Sequence, residues 1–523
     1  MINIDEILTM DSIDSLSPQN GLQAIARLID YASEHRDLTL TSRALTWCDQ
    51  IEPRLTSDIQ RARKDYFRAN AWANRQRERQ SDRVAVWAWD QEELQQQIFF
   101  LRRALNSSAY DELDTTQRCQ ILTNLANQLD TAGRFVEARA LWTAALRINP
   151  AFWMARGNRG RGLMHYAHAL QNSGHKAYFA LKAHDDLTRA VQDIDLHPEL
   201  GDAGLRNNFV TAEEEIQRGF DLVKIADRYR LETFELSEKA DERSYQQWCL
   251  RETLFLNPLN DVESLPISAK DVLTLPDFVT SIDEPPILVG LFNQLKQEFV
   301  SARWLYFDGI NTDDVHHSDR NVVLYNTLDY TALDLGVEKV KIAFRMSYSL
   351  LDKIAYFINH YMKLGIPEKN INFRNIWREK NSGPVRVEFS ASENWPFRGL
   401  FWLSKDIFEK DFKDLTEPDA RELHELRNHL EHKYVKVLEM KTPVRVNTQS
   451  ALDVSYDNFA HSISRHDLEQ KTLRILQLVR SALIYLSLGM QKEERRRQAS
   501  AGSNSFVARM ALTEMADESK RRW

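Results

Sequence analysis

The stretch from Cys119 to Pro150, CQILTNLANQLDTAGRFVEARALWTAALRINP, constrains this chain more than any other. Its apolar and small residues fall at Leu122, Leu125, Ala126, Leu129, Gly133, Ala138, Trp142, Ala145 and Pro150. Spacings of three and four residues predict two amphipathic helices. Gly133 turns the chain between them and Pro150 closes the second. Ala126 and Ala138 sit where the helices touch, and a larger side chain there would push them apart. One such pair cannot bury its own apolar face, so it needs neighbours of the same kind.

The spacing resembles the tetratricopeptide repeat (TPR), a helix–turn–helix unit of about 34 residues. Met154–Leu170, with Ala155, Gly157, Asn158 and Gly160, reads as the first helix of a next repeat. Asp65–Asn74 reads as another first helix, followed by a second helix near Glu92–Leu105. Residues 1–245 are therefore expected to form a TPR-like helical solenoid. Trp47, Trp72, Trp87, Trp89 and Trp142 are expected in its core rather than on a base-stacking platform.

Composition supports long helices. The 523 residues include only 17 Gly and 14 Pro, about half the typical share of each. With 43% hydrophobic and 28% charged residues the chain is globular, and its length calls for more than one domain. The net charge of −8 excludes a uniformly basic nucleic-acid coat but leaves room for a local basic cleft. Cys48, Cys119 and Cys249 lie far apart, which excludes a zinc spacing and a disulfide framework. The acidic N-terminus lacks the apolar core of a secretory signal. The longest apolar run, near Ala482–Met490, is short for a bilayer span. A cytoplasmic protein without membrane contact is expected.

Beyond the repeats, five prolines (Pro258, Pro266, Pro276, Pro285 and Pro286) mark residues 246–285 as an extended connector. Long amphipathic helices follow. The first carries Leu288, Phe292, Leu295, Phe299, Ala302 and Tyr306 on one stripe, and the second spans Val337 to Met362. Phe397–Phe412, Ala420–Met440 and His466–Met490 complete the set, with GPVRVEFS as a small insertion that reads as a short strand or an ordered loop. Residues 286–490 are expected to be a bundle of four to five helices, and 491–523 a mobile C-terminal tail. The fold class is all-α.

The fourth of these helices, ARELHELRNHLEHKYVKVLEM, carries the chemistry. Leu423, Leu426, Leu430, Tyr434 and Val437 form the expected buried stripe. His424, Asn428 and His432 recur every four residues on another face, with Arg427 beside Asn428. These groups handle protons and phosphate.

Arg427-Asn428-His429-Leu430-Glu431-His432 resembles the R-x4–6-H motif of the HEPN superfamily (higher eukaryotes and prokaryotes nucleotide-binding domains), in which a polar residue commonly follows the Arg. SYSLLDKIAYFIN and RGLFWLSKDIF resemble apolar helices of a branch that carries TPR-like repeats ahead of the HEPN domain. The resemblance covers about residues 250 to 490. It implies metal-independent RNA cleavage without a cofactor, on a site built from two copies facing each other across a homodimer of the C-terminal bundle. His432 would take the 2′-OH proton or give one to the leaving 5′-oxygen. Arg427 would clamp the scissile phosphate, and Asn428 would orient either partner. His424 and His429, one turn away, are auxiliary candidates, with a surface role the plainer reading for each.

The resemblance implies an endoribonuclease acting on an RNA substrate in toxin or antiviral defence, with the solenoid docking a protein or peptide. The alternative is a non-catalytic TPR scaffold whose bundle binds RNA, a nucleotide or a cognate regulator. Asp313, Asp314, His316, His317 and Asp319 could in principle bind a metal, but a polar surface loop is the plainer reading.

Overall fold

The structure, a computed structural model, describes residues 2–79, 86–228, 231–280, 285–312, 314–326, 331–380, 383–407, 420–439, 460–500 and 510–521. Nearly every regular element among them is a helix, so the chain is all-α as expected.

The repeat half stacks helices α1 (Pro18–His35), α2 (Leu38–Ile51), α3 (Asp58–Arg79), α4 (Glu92–Leu105), α5 (Thr115–Thr131), α6 (Phe135–Ile148), α7 (Trp153–Ala169), α8 (Ser173–Leu196) and α9 (Arg206–Gly219). Several starts are set by side-chain caps. Asp37 accepts from the N–H groups of Thr39 and Leu40, Asp114 from Gln117, and Asn172 from His175. The expected hairpin is present as α5 and α6, which pack against each other. Ala126 and Ala138 are fully buried, and Gly133 turns the chain at φ +90°. Trp47, Trp72, Trp89 and Trp142 are buried, so they serve the core, whereas Trp87 is only partly buried.

After α10 (Ala240–Arg251) the chain runs irregularly through the proline-rich connector. Irregular does not mean loose here. Leu254, Phe255, Leu256, Leu259 and Leu273 are buried, and two bundle arginines fasten the segment. Arg480 donates to the Phe255 carbonyl at 2.6 Å, the Asn257 carbonyl at 3.0 Å and the Asp261 carboxylate at 2.6 Å. Arg303 forks onto Asp271 at 2.9 and 2.8 Å and reaches the Leu254 carbonyl at 2.9 Å.

Among the described residues the bundle's longer helices are α11 (Ile287–Ile310), α12 (Leu335–Tyr361), α13 (Trp395–Ser404), α14 (Ala420–His432) and α15 (Arg465–Ser500). Helix α15 is the hub, packing on α11, α12 and α13. By length and composition α15 could cross a bilayer, unlike the short run read from sequence; 83% of its most apolar window is buried inside the protein. It continues to Ser500, with Glu493 and Glu494 buried beneath Arg496 and Arg497.

One expectation fails at α14. The helix stops at His432, and Val435–Leu438 forms a strand, β1, paired in parallel with β2 (His461–Ser464). Leu423 and Leu426 are buried as expected, but Leu430 is only partly buried and Tyr434 is exposed, while Val437 is buried through the strand. Two β-branched residues in alternation, Val435 and Val437, suit a pleat better than another helical turn. The third helix is also shorter than expected, ending at Ser404, and residues 408–412 of the expected span lie outside the described residues. In GPVRVEFS, Val385 makes an isolated bridge to Arg378, and Val387–Ser390 is one helical turn.

One apolar core runs through both halves, from Ala62 to Met490. The α5–α6 turn is gripped by the bundle. Trp395 Nε1 donates to the Asp130 carbonyl at 2.8 Å, the Tyr485 hydroxyl accepts from the Val136 N–H at 3.2 Å, and Phe135 stacks on Trp395 at 4.3 Å. Gly133 and Gly399 meet backbone to backbone, where a Cβ on either would overlap the other's main chain. Beside them Asp406, wholly buried, pairs with Arg102 at 2.7 Å and Arg134 at 2.5 Å. Arg134 also forks onto Glu137, at 2.7 Å twice, and Glu137 takes Arg474 at 3.1 Å. Burial opposes the charge on Arg134, but Asp406 and Glu137 outweigh it and hold the guanidinium above its ordinary pKa.

Asp406→Ala leaves two buried guanidinium groups short of a carboxylate, and should lower unfolding free energy by about 3–5 kcal/mol in a denaturant titration. Gly399→Ala should cost about 1–3 kcal/mol through overpacking. Gly290→Ala, where a Cβ meets nothing within 4 Å, should instead stabilise α11 by about 0.5–1 kcal/mol. Equal effects from the two glycine substitutions would contradict this account.

Candidate functional site

Helix α14 packs its Leu423–Leu426 side on the bundle and leaves the polar side half open. Arg427, Asn428 and His429 are partly buried, while His432 is exposed in the last turn. At about 100° per residue, Arg427 and His432 stand about 140° apart around the helix, with Asn428 between them.

Side chains link three of the five sequence candidates in a row. Arg427 Nη1 donates to Asn428 Oδ1 at 3.1 Å, and Asn428 Nδ2 meets His424 Nε2 at 2.9 Å. The row has one consistent proton arrangement. Arginine only donates, so the amide oxygen must face it, and the amide NH2 then donates to His424. That requires a lone pair on His424 Nε2, hence a neutral ring protonated at Nδ1. The electrostatics agree: burial lowers the His424 pKa, and the Arg427 charge lowers it further. So His424 Nε2 carries the lone pair of the row, and Asn428 engages it.

His432 is not part of this row. His429 is turned elsewhere: its Nδ1 contacts the Glu425 carbonyl at 2.7 Å, and its ring stacks on His461 at 4.9 Å. Burial lowers the His461 pKa, with His429 adding to the effect.

Packing adds groups that the motif alone did not reveal. Arg427 lies over the Tyr348 ring, 5.5 Å from its centroid. One turn along α12, Asp352 accepts from the Phe373 N–H at 3.0 Å. Burial raises the Asp352 pKa, opposed by Phe373 and by the Arg427 charge. Arg374 adds to the positive field at His424. In sequence, Tyr348 and Asp352 sit four apart in SYSLLDK, a polar pair inside an apolar helix, and that was their available signal.

In the DDVHHSD loop, Asp313 lies outside the described residues. Asp314 and His317 are exposed, and His316 and Asp319 are partly buried. Asp319 accepts from the Leu335 N–H at 2.9 Å, where it helps start α12. Among the described residues, no group of three or more His, Cys, Asp or Glu side chains is placed to hold a metal ion.

A family model described as LA2681-like HEPN matches residues 279–493. The matched span begins ahead of α11 and reaches into α15, so it contains the whole of α14. The C-terminal bundle is thus HEPN-like, and the repeat half lies outside the match. No curated protein and no solved structure matches the chain.

A histidine that resists protonation in the folded state makes the unfolded chain the better proton acceptor at mildly acidic pH. His424 and His461 should therefore contribute to a loss of stability as pH falls below the ordinary histidine range, read as a falling melting temperature. Arg427→Gln removes one cause of the His424 shift, so NMR titration should find the His424 pKa moved upward. No movement would mean that Arg427 does not govern that ring.

Proposed function

We propose that the protein is a metal-independent endoribonuclease of HEPN type that cleaves RNA through attack of the 2′-OH. The family match supports the coarser statement that the bundle belongs with domains that cleave or bind RNA. The observation that carries the finer reading is the Arg427–Asn428–His424 row on the open side of α14, with His432 in the next turn.

Each group has a task that its chemistry suits. Arg427 offers a planar fork to a phosphate, and the extra negative charge of a pentacoordinate transition state strengthens that contact. Asn428 holds the fork in place. A neutral imidazole takes the 2′-OH proton and a protonated one returns a proton to the 5′-oxygen. His432 is exposed and so able to meet a substrate, while the His424 Nε2 lone pair is engaged by Asn428. As His432 stands well round the helix from Arg427, we assign the complete site to two copies of α14 facing each other in a homodimer of the bundle. The repeat half then serves as a docking module for a protein or peptide, and a cytoplasmic role in toxin or antiviral defence accompanies this reading.

The test uses the full chain and a synthetic RNA. Cleavage should survive chelators, should spare DNA, and should leave 2′,3′-cyclic phosphate and 5′-hydroxyl ends. His432→Ala and Arg427→Ala should each lower the rate by about 100-fold or more, and Asn428→Ala by less, with melting temperatures near wild type. Binding of RNA without cleavage under all conditions would favour a non-catalytic RNA-binding module. Cleavage that depends on a divalent ion would overturn the mechanism.

A further inference from the structure

Between the repeat half and the bundle lies a cavity of about 500 Å³. Helices α4, α5 and α6 wall one side, and α14 and α15 the other. Leu125, Leu129, Leu423 and Leu478 give it an apolar surface. Five basic side chains line it (Arg102, Arg139, Lys471, Arg474 and Arg480) against three acidic ones, Glu137, Glu252 and Asp261.

Those acids are already engaged. Asp261 holds Arg480 and accepts from the Tyr166 hydroxyl at 2.9 Å. Glu137 holds Arg134 and Arg474, and Glu252 pairs with Arg251 at 3.0 Å. Arg139 has no carboxylate. Its hydrogen bond runs from Nη1 to the Val262 carbonyl at a long 3.5 Å, and its enclosed Nε has no partner. Burial pushes its pKa down to about 10; Asp261 opposes this, while Arg159 and Arg480 add to it. A guanidinium with an enclosed, unpartnered Nε and no carboxylate in direct contact gains from an anion that reaches it.

We propose that this cavity binds a small phosphorylated ligand, with Arg139 as the principal phosphate contact, Arg474 and Lys471 in support, and the leucine wall against the ligand's apolar part. The volume falls within the range of about 300–1,000 Å³ common for small-molecule sites. Leu423 stands one turn before Arg427 on α14, so an occupant would touch the candidate site's own helix and both halves of the chain at once. The proposal is independent of whether the protein cleaves RNA.

The test is titration of the full chain with inorganic pyrophosphate, read by calorimetry and melting temperature. Wild type should show saturable binding and a higher melting temperature than sodium chloride of equal ionic strength gives. Arg139→Gln should weaken binding about tenfold or more, the size expected for one charge-assisted contact. It should also leave the ligand-free melting temperature unchanged or raised, because it removes a partly buried cation that no carboxylate contacts directly. Lys471→Gln should weaken binding by a smaller factor. Absence of saturable binding, or equal binding by Arg139→Gln, would overturn the proposal. A ligand-free Arg139→Gln protein that melts lower or fails to fold would do so too, by making Arg139 a structural residue. Competitive displacement of pyrophosphate by a short single-stranded RNA would assign the cavity to nucleic acid instead.

Discussion

Asp406 has no access to water, and both of its guanidinium partners, Arg102 and Arg134, come from the other half of the chain. A buried carboxylate is tolerable only while its partners are in place. Glu137 extends the same constraint to Arg474 on α15. Separating the halves would therefore strand charges of both signs in apolar surroundings, besides exposing a shared apolar core. The repeat array and the bundle are held in one arrangement, and everything on α14 is positioned relative to both.

The repeat hairpin was legible because its signal is local. Small residues at the helix contact and a glycine at the turn act within one unit, and Ala126, Gly133 and Ala138 occupy the places their types suggest. The end of α14 was not legible. Leu430, Tyr434 and Val437 keep a helical spacing, yet β1 wins because its partner His461–Ser464 arrives from a distant stretch of chain. The charged links between halves were hidden for a related reason. Arg102, Arg134, Glu137 and Asp406 read as ordinary solvated residues until folding brings them together. At the candidate site the split is similar: the motif exposed Arg427, Asn428 and His432, and tertiary packing supplied Tyr348, Asp352 and Arg374.

The connector shows how little regular structure a rigid segment needs. The carbonyls of Leu254, Phe255 and Asn257 accept from the side chains of Arg303 and Arg480, beside scattered main-chain bonds such as Leu273 N–H to the Leu256 carbonyl. Both arginines belong to long bundle helices, so the connector's arrangement depends on the bundle's. Arg480 also binds Asp261, which anchors Tyr166 of α7. One guanidinium thus joins the hub helix, the connector and the repeats, and the cavity that contains Arg139 lies beside this junction.

The meeting of Gly133 with Gly399 bears on how such a chain could evolve. Helical repeats are commonly gained, lost and exchanged as modules, because each one contacts only its neighbours. The α5–α6 repeat is not interchangeable in that sense, since its turn is also the bundle's docking point and admits no side chain on either strand of the contact. A side chain added at this turn would have to be matched by a change in the bundle that receives it.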